Sequence, residues 1–238
     1  MSKQLVIFQD LGIMGYKQAW DYQEELLREN VEAKSVAGSQ ESSVITQLTT
    51  TNHLLFVEHP PVYTLGKSGH AENVLISEEE MDAKQIQFYK TNRGGDITFH
   101  GPGQIVGYPI LDLEKFYTDI GRYMRELEKV IILTLAEYGI ESGRSLGETG
   151  VWLDVGIAGR ERKICAMGVR CSRWVTMHGF ALNVNTDLSY FDFIIPCGIQ
   201  NKKVTSLEKE LGKKVFIEET KEKIKKNFER VFDCEMRD

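Results

Sequence analysis

Strand-like runs follow one another through most of this chain, and helical periodicity interrupts them in only a few places. Residues 5–8 (LVIF), 54–59 (LLFVEH), 62–66 (VYTLG), 87–92 (QFYKTN), 97–100 (ITFH) and 104–113 (QIVGYPILDL) are short apolar or alternating stretches bounded by Gly, Pro or polar residues. Three more, GVWLDVGI, KICAMGVR and WVTMHGFALNVN, come after residue 149. Such runs read as strands, and Pro60-Pro61 closes one of them because proline cannot continue a ladder. Apolar residues recur at helical spacing from Tyr16 (Ala19, Tyr22, Leu26, Leu27) to about Asn30. They recur again behind a capping Asp119 (Ile120, Tyr123, Leu127, Val130, Ile131, Leu135, Tyr138) until Gly139, and from Glu218 through Ile224, Phe228, Val231 and Phe232. Ser77 and Glu80 are spaced as a capping box, and a further short helix is expected near Leu207. Strands in series with few helices between them exclude a regularly alternating doubly wound sheet and point to an α+β fold.

A chain of 238 residues buries a full core, and one domain spanning 1–238 is expected. The polar, Ser/Thr-rich stretch 35–51 reads as a surface loop or insertion. Net charge is −6, which argues against nucleic acid, since neutralising phosphates takes a clustered excess of Lys and Arg. The apolar start ends at Gln9-Asp10, too short for a signal peptide, and no run approaches the roughly 18 apolar residues that cross a bilayer. A soluble cytoplasmic protein is the expectation, with no membrane and no nucleic-acid partner. Cys165, Cys171, Cys197 and Cys234 include no pair at zinc or thioredoxin spacing, so free thiols and no metal are expected.

Chemistry concentrates in three glycine-rich clusters: 93–109 (RGGDITFHGPGQIVGYP), 163–170 (KICAMGVR) with 177–183 (MHGFALN), and 194–207 (IIPCGIQNKKVTSL). Gly101, Gly103 and Gly107 do not match the dinucleotide fingerprint, and no G-x-x-x-x-G-K-[ST] loop occurs. Arg93 beside two glycines and His100 beside Gly-Pro-Gly stand where turns usually carry Asn, Asp or Ser, which suggests binding. Pro196-Cys197-Gly198 sets a thiol between a rigid residue and a permissive one. Its reactive form is the thiolate, so a base must be near. Lys163 opens a strand of small and apolar residues, where desolvation would favour the free amine that can take the thiol proton. A snorkelling Lys163 and a buried, inert Cys197 are the plain alternatives, and His100 and His178 are alternative bases. Cys165, Cys171 and Cys234 read as core or inert, with Cys234 placed in the last helix.

With these motifs in order, the chain resembles the bacterial lipoate-protein octanoyltransferases (octanoyl-acyl carrier protein:protein transferases). The resemblance runs from LGIMGYKQAWDYQ through EHPPVYTLGKSG, RGGDITFHGPGQIVGYPILDL, KICAMGVR and HGFALNVN to PCGIQNKKVTSL. It implies the fold of biotin and lipoate ligases, a mixed sheet flanked by helices, and a dyad of Cys197 and Lys163 with His178 in support. Acyl-binding segments fall on Arg93, Gly94, Gly95, Asp96, Ile97, Thr98, Phe99 and His100, on Ala166, Met167 and Gly168, and on Gly179, Phe180 and Ala181. It implies no cofactor, octanoyl-acyl carrier protein as donor, and lipoyl domains of 2-oxoacid dehydrogenase complexes and the glycine cleavage H protein as acceptors. Many members carry Asn before Pro-Cys-Gly, where this chain has Ile195. An ATP-dependent ligase, a silent acyl-binding module and a Cys–His hydrolase are the other readings.

Overall fold

The computed structural model describes residues 3–37, 49–195 and 203–238. Among these, eight strands form a mixed sheet in the order β10 (Lys203–Val204), β8 (Arg162–Ser172), β9 (Val175–Asn183), β6 (Gln104–Ile110), β2 (Asn52–Glu58), β1 (Gln4–Ile13) and β11 (Cys234–Arg237), with β7 (Val151–Leu153) also paired to β8. The centre, from β8 to β2, is antiparallel, while β1 runs parallel to both β2 and β11, and β10 parallel to β8. A second sheet sets β3 (Val62–Leu65) between β4 (Gln87–Lys90) and β5 (Ile97–His100). The α+β class is the one the strand runs predict, and the mixed sheet is the one the resemblance implies.

The apolar periodicities become faces. On α3 (Ile120–Ala136), capped by the Asp119 carboxylate on the Arg122 N–H, residues Tyr123, Leu127, Val130, Ile131 and Leu135 are fully buried. They meet Ile224 and Phe228 of α5 (Ile217–Phe232) and the sheet residues Leu54, Phe56, Ile105 and Leu182, which makes the main core. Burying each such side chain stabilises the fold by about 1.5–3 kcal/mol before entropy is counted. The opposite face of the sheet takes Ala19, Leu26 and Leu27 of α1 (Tyr16–Ala37) against Leu55, Tyr108, Met177 and Ala181. The capping box predicted at Ser77 forms at the start of α2 (Glu78–Ala83), and α4 (Leu207–Leu211) is the short helix expected near Leu207.

Four expectations are corrected. The first helix runs on to Ala37, because Lys34 reaches the buried Asp112 carboxylate at 2.7 Å and Glu114 at 2.9 Å. Ser35, read as the start of a surface loop, is therefore helical; residues 38–48 lie outside the described residues, and Thr50 is buried with its hydroxyl on Asp112 at 2.7 Å. The strand read at GVWLDVGI stops at Leu153, where Asp154 (φ +50°) and Gly156 (φ +80°) turn the backbone. Cys234 lies in a strand, since Asp233 takes up left-handed φ (+47°), ends α5 and lets 234–237 pair with β1.

The β8–β9 hairpin sets the spacing of the residues around the main cavity. Arg173 (φ +48°) and Trp174 (φ +65°) are both left-handed, the signature of a two-residue type I′ turn, so the register is fixed. Ala166 is paired with Ala181, Gly168 with Gly179 and Val169 with His178.

Candidate active site

Two successive cross-strand pairs two residues apart, Ala166–Ala181 and Gly168–Gly179, carry nothing larger than a methyl. Small side chains there leave room, and a cavity of about 830 Å³ opens beside them, lined also by Val106 of β6. The loop 93–96 closes over it: Gly94 donates its N–H to Val169 O at 2.9 Å. The approach is close enough that a Cβ on Gly168 would sit 2.6 Å from Gly94 O.

Arg93 holds that loop together from inside. Its guanidinium donates to the Thr64 carbonyl (2.5 Å), the Thr64 hydroxyl (2.9 Å), Asp96 O (2.8 Å) and Gly94 O (3.0 Å). Asp96 accepts from the Ile97 N–H at 2.7 Å and from the Asn73 amide at 2.8 Å, tying 93–97 to the preceding turn. Gly94, Gly95, Asp96, Ile97, Thr98 and His100 line the cavity, as do Arg93, Ala166, Met167, Gly168, Gly179, Phe180 and Ala181. Phe99 does not join them. It is buried in the core of the second sheet, stacked on Tyr190 with ring centroids 4.5 Å apart.

Both candidate histidines are held neutral. His100 is bonded to Gln104 Oε1 at 2.8 Å and to the Thr64 hydroxyl at 3.3 Å, and burial, then neighbouring His59 and Arg93, keeps its pKa well below the usual imidazole value. His178 is pushed down to about 3, chiefly by burial and then by Arg93 and Arg170. The Asn92 amide donates to Glu24, so its carbonyl oxygen faces His178 Nε2 at 2.8 Å, and that nitrogen carries the proton. A ring that stays unprotonated to about pH 3 is a poor acceptor for a thiol proton, which weighs against the Cys–His reading.

Lys163 lies half-buried in β8 and lines the same cavity. Its cross-strand partner is Trp152, and Nζ rests 4.5 Å from the indole centroid. Cys197 lies outside the described residues. The described residues on either side of segment 196–202 do approach the site, since Phe191 and Val204 both line the cavity. The other thiols match their core reading: Cys165 and Cys234 are buried, and burial raises the thiol pKa of each, that of Cys234 to about 12. Cys171 is half-buried and its thiol is raised too.

A family model for the lipoyl protein ligase A/B catalytic domain matches residues 15–229. The chain belongs to that family. It is 61% identical over all 238 residues to the octanoyltransferase of Christiangramia forsetii, spanning 99% of that protein, and 62% identical over 237 residues to that of Flavobacterium johnsoniae, spanning all of it. Among solved structures, a bipartite lipoate protein ligase from Thermoplasma acidophilum superposes with a TM-score of 0.67 at 17% identity, covering 100% of this chain and 86% of that one. At that identity the likeness speaks for the fold.

Within this lipoyl protein ligase A/B domain, several cavity residues escape the sequence reading. Tyr16, read as the first turn of a helix, stacks on His100 with centroids 6.0 Å apart. Gln104 and Asn183, paired across β6 and β9, bond to each other at 2.8 Å and link His100 to the Thr205 carbonyl. A carboxamide inside an otherwise apolar strand was the available signal, because buried polar groups need partners.

Proposed function

We propose that this chain carries an octanoyl group from octanoyl-acyl carrier protein, as a thioester on Cys197, to a lysine of lipoyl-domain proteins, with Lys163 moving the protons. It is an octanoyltransferase by its likeness over the whole chain to relatives of that name. The lipoyl domains of 2-oxoacid dehydrogenase complexes and the glycine cleavage H protein are the proposed acceptors. The observation that carries the dyad is the shared lining: Lys163, Phe191 and Val204 border one cavity whose floor is made of small residues. Ile195, two positions before Cys197 in the sequence, donates its N–H to Asn73 O at 2.8 Å. Asn73 also lines the cavity.

In the first half-reaction the Cys197 proton passes to Lys163 Nζ, and the thiolate attacks the donor carbonyl. The new carbon–sulfur bond forms as the carrier's breaks, and the departing sulfur takes the proton back. Exchange of one thioester for another is nearly isoenergetic, so the enzyme holds the acyl group reversibly. In the second half-reaction the acceptor amine attacks, Lys163 receives its proton, and Cys197 leaves as the thiolate and is reprotonated. The amide product makes this half strongly downhill without ATP. Splitting the transfer lets two proteins visit in turn, and the proton work is typically worth about 10²–10⁴-fold.

Intact-protein mass after incubation with octanoyl-acyl carrier protein tests the proposal. The wild type is expected to gain one octanoyl group, Cys197→Ala none, and Lys163→Ala to gain it about 10²–10⁴-fold more slowly. Undiminished transfer by Cys197→Ala would end the thiol mechanism. Transfer that requires ATP and free octanoate would assign the chain to the ligase reading.

A further inference from the structure

A lysine that trades a proton in every half-reaction has to point in one direction in both of its charge states. Lys163 is a flexible four-carbon side chain, and the backbone around it is clamped on two sides. Thr205 donates its N–H to Lys163 O at 2.9 Å, and β7 pairs along the other edge with Trp152 directly opposite Lys163. Trp152 is itself held from behind, since it exchanges two backbone hydrogen bonds with Gly143, at 2.8 and 2.9 Å. It is 2% exposed, so the indole is a fixed plate, and Lys163 Nζ lies over its face at 4.5 Å.

We infer that Trp152 is a positioning residue for Lys163, its indole face holding Nζ in the cavity. This role rests on the proposed Cys197–Lys163 dyad and adds to it a residue that touches neither donor nor acceptor. An aromatic face attracts a cation through the negative charge of its π cloud, most strongly for indole and more strongly where water is excluded. The plate therefore keeps Nζ aimed into the cavity, where a misplaced proton carrier would slow both half-reactions. A cross-strand neighbour is a good support for this purpose, because its distance is set by the sheet ladder.

The test is a double-mutant cycle on the first half-reaction, read by single-turnover mass measurement with octanoyl-acyl carrier protein. Trp152→Leu is expected to slow acyl-enzyme formation at saturating donor by about two- to thirtyfold, the factor such a contact is worth, with the donor concentration at half-maximal rate unchanged. Trp152→Phe, which keeps an aromatic face, is expected to recover most of the rate. In a Lys163→Ala background Trp152→Leu should cost nothing further, whereas mere damage to packing would add to the loss. Wild-type rate in Trp152→Leu, equal loss in Leu and Phe variants, or a full additional loss in the Lys163→Ala background would each overturn the inference. Lys163→Ala running at the wild-type rate would instead remove the dyad, and the role of Trp152 with it.

Discussion

An alanine at position 168 would place a methyl 2.6 Å from the Gly94 carbonyl oxygen, and Gly94 is held by its own N–H bond to Val169 one residue along. One of the two backbones has to move, and the loop is the freer of them. Gly168→Ala is therefore expected to lift residues 93–96 off the cavity and to slow octanoyl transfer by about tenfold or more, since misplacements near 1 Å can cost as much as about 10²-fold. Overpacking of this kind costs about 1–3 kcal/mol, so thermal melting should fall by a few degrees to about ten, with the fold kept. Melting curves read beside the transfer rate check both halves. The sequence places Gly94 and Gly168 in glycine-rich clusters, and Lys163 at the start of a strand of small and apolar residues. It did not show that the two glycines approach each other, because they meet through a register set by Arg173 and Trp174, neither of which is a usual turn residue. Phe99 failed for a simpler reason: a contiguous motif does not say which of its residues faces the cavity.

At the scale of elements, α3 does more than bury an apolar stripe. Glu128 on that helix has no exposed side-chain surface. One of its oxygens accepts the Gly150 N–H at 3.0 Å, and the other meets Arg125 and Arg144 at 2.8 Å each. The helix thus holds the start of β7, and β7 presents Trp152 to Lys163. Glu128→Ala is expected to destabilise the protein by about 2–4 kcal/mol, less than a fully buried pair because both arginines reach water. Glu128→Gln, which keeps an acceptor for Gly150, should cost less. Denaturant unfolding of the two variants checks the order. The stripe of α3 was legible from its spacing, whereas Glu128 was not. A carboxylate beside Leu127 looks in sequence like any solvated helix charge, and only the strand packed against it shows otherwise.

Across the whole molecule, the fold gathers histidines that are far apart in the chain. His59 and His100 have ring centroids 5.9 Å apart, and Tyr16 stacks against His100. Burial lowers the pKa of His59 to about 4 and of His178 to about 3. The unfolded chain binds protons near pH 6.5, where the native protein still refuses them. Between those values the unfolded state carries more protons, so the stability from these rings is complete above about pH 6.5. It is lost as pH falls toward about 4 for His59 and about 3 for His178. Glu137 and Glu210, held below their usual range by hydrogen bonds against the opposing effect of burial, add a loss of the same sign at lower pH. The denaturant midpoint is expected to stay level from pH 8 to pH 7 and to drop steeply below about 6.5, with the slope reduced in His59→Gln. The α+β class was readable from run lengths and turns; this clustering was not, since it depends on which strand ends meet. His178 adds one more consequence, because it holds left-handed backbone (φ +58°) in the middle of a strand. A glycine there would relax the chain and remove the ring together. The relief is worth about 1–2 kcal/mol, whereas emptying the space of a large buried side chain typically costs about 3–5 kcal/mol, so a search for hardier variants would leave this buried histidine in place.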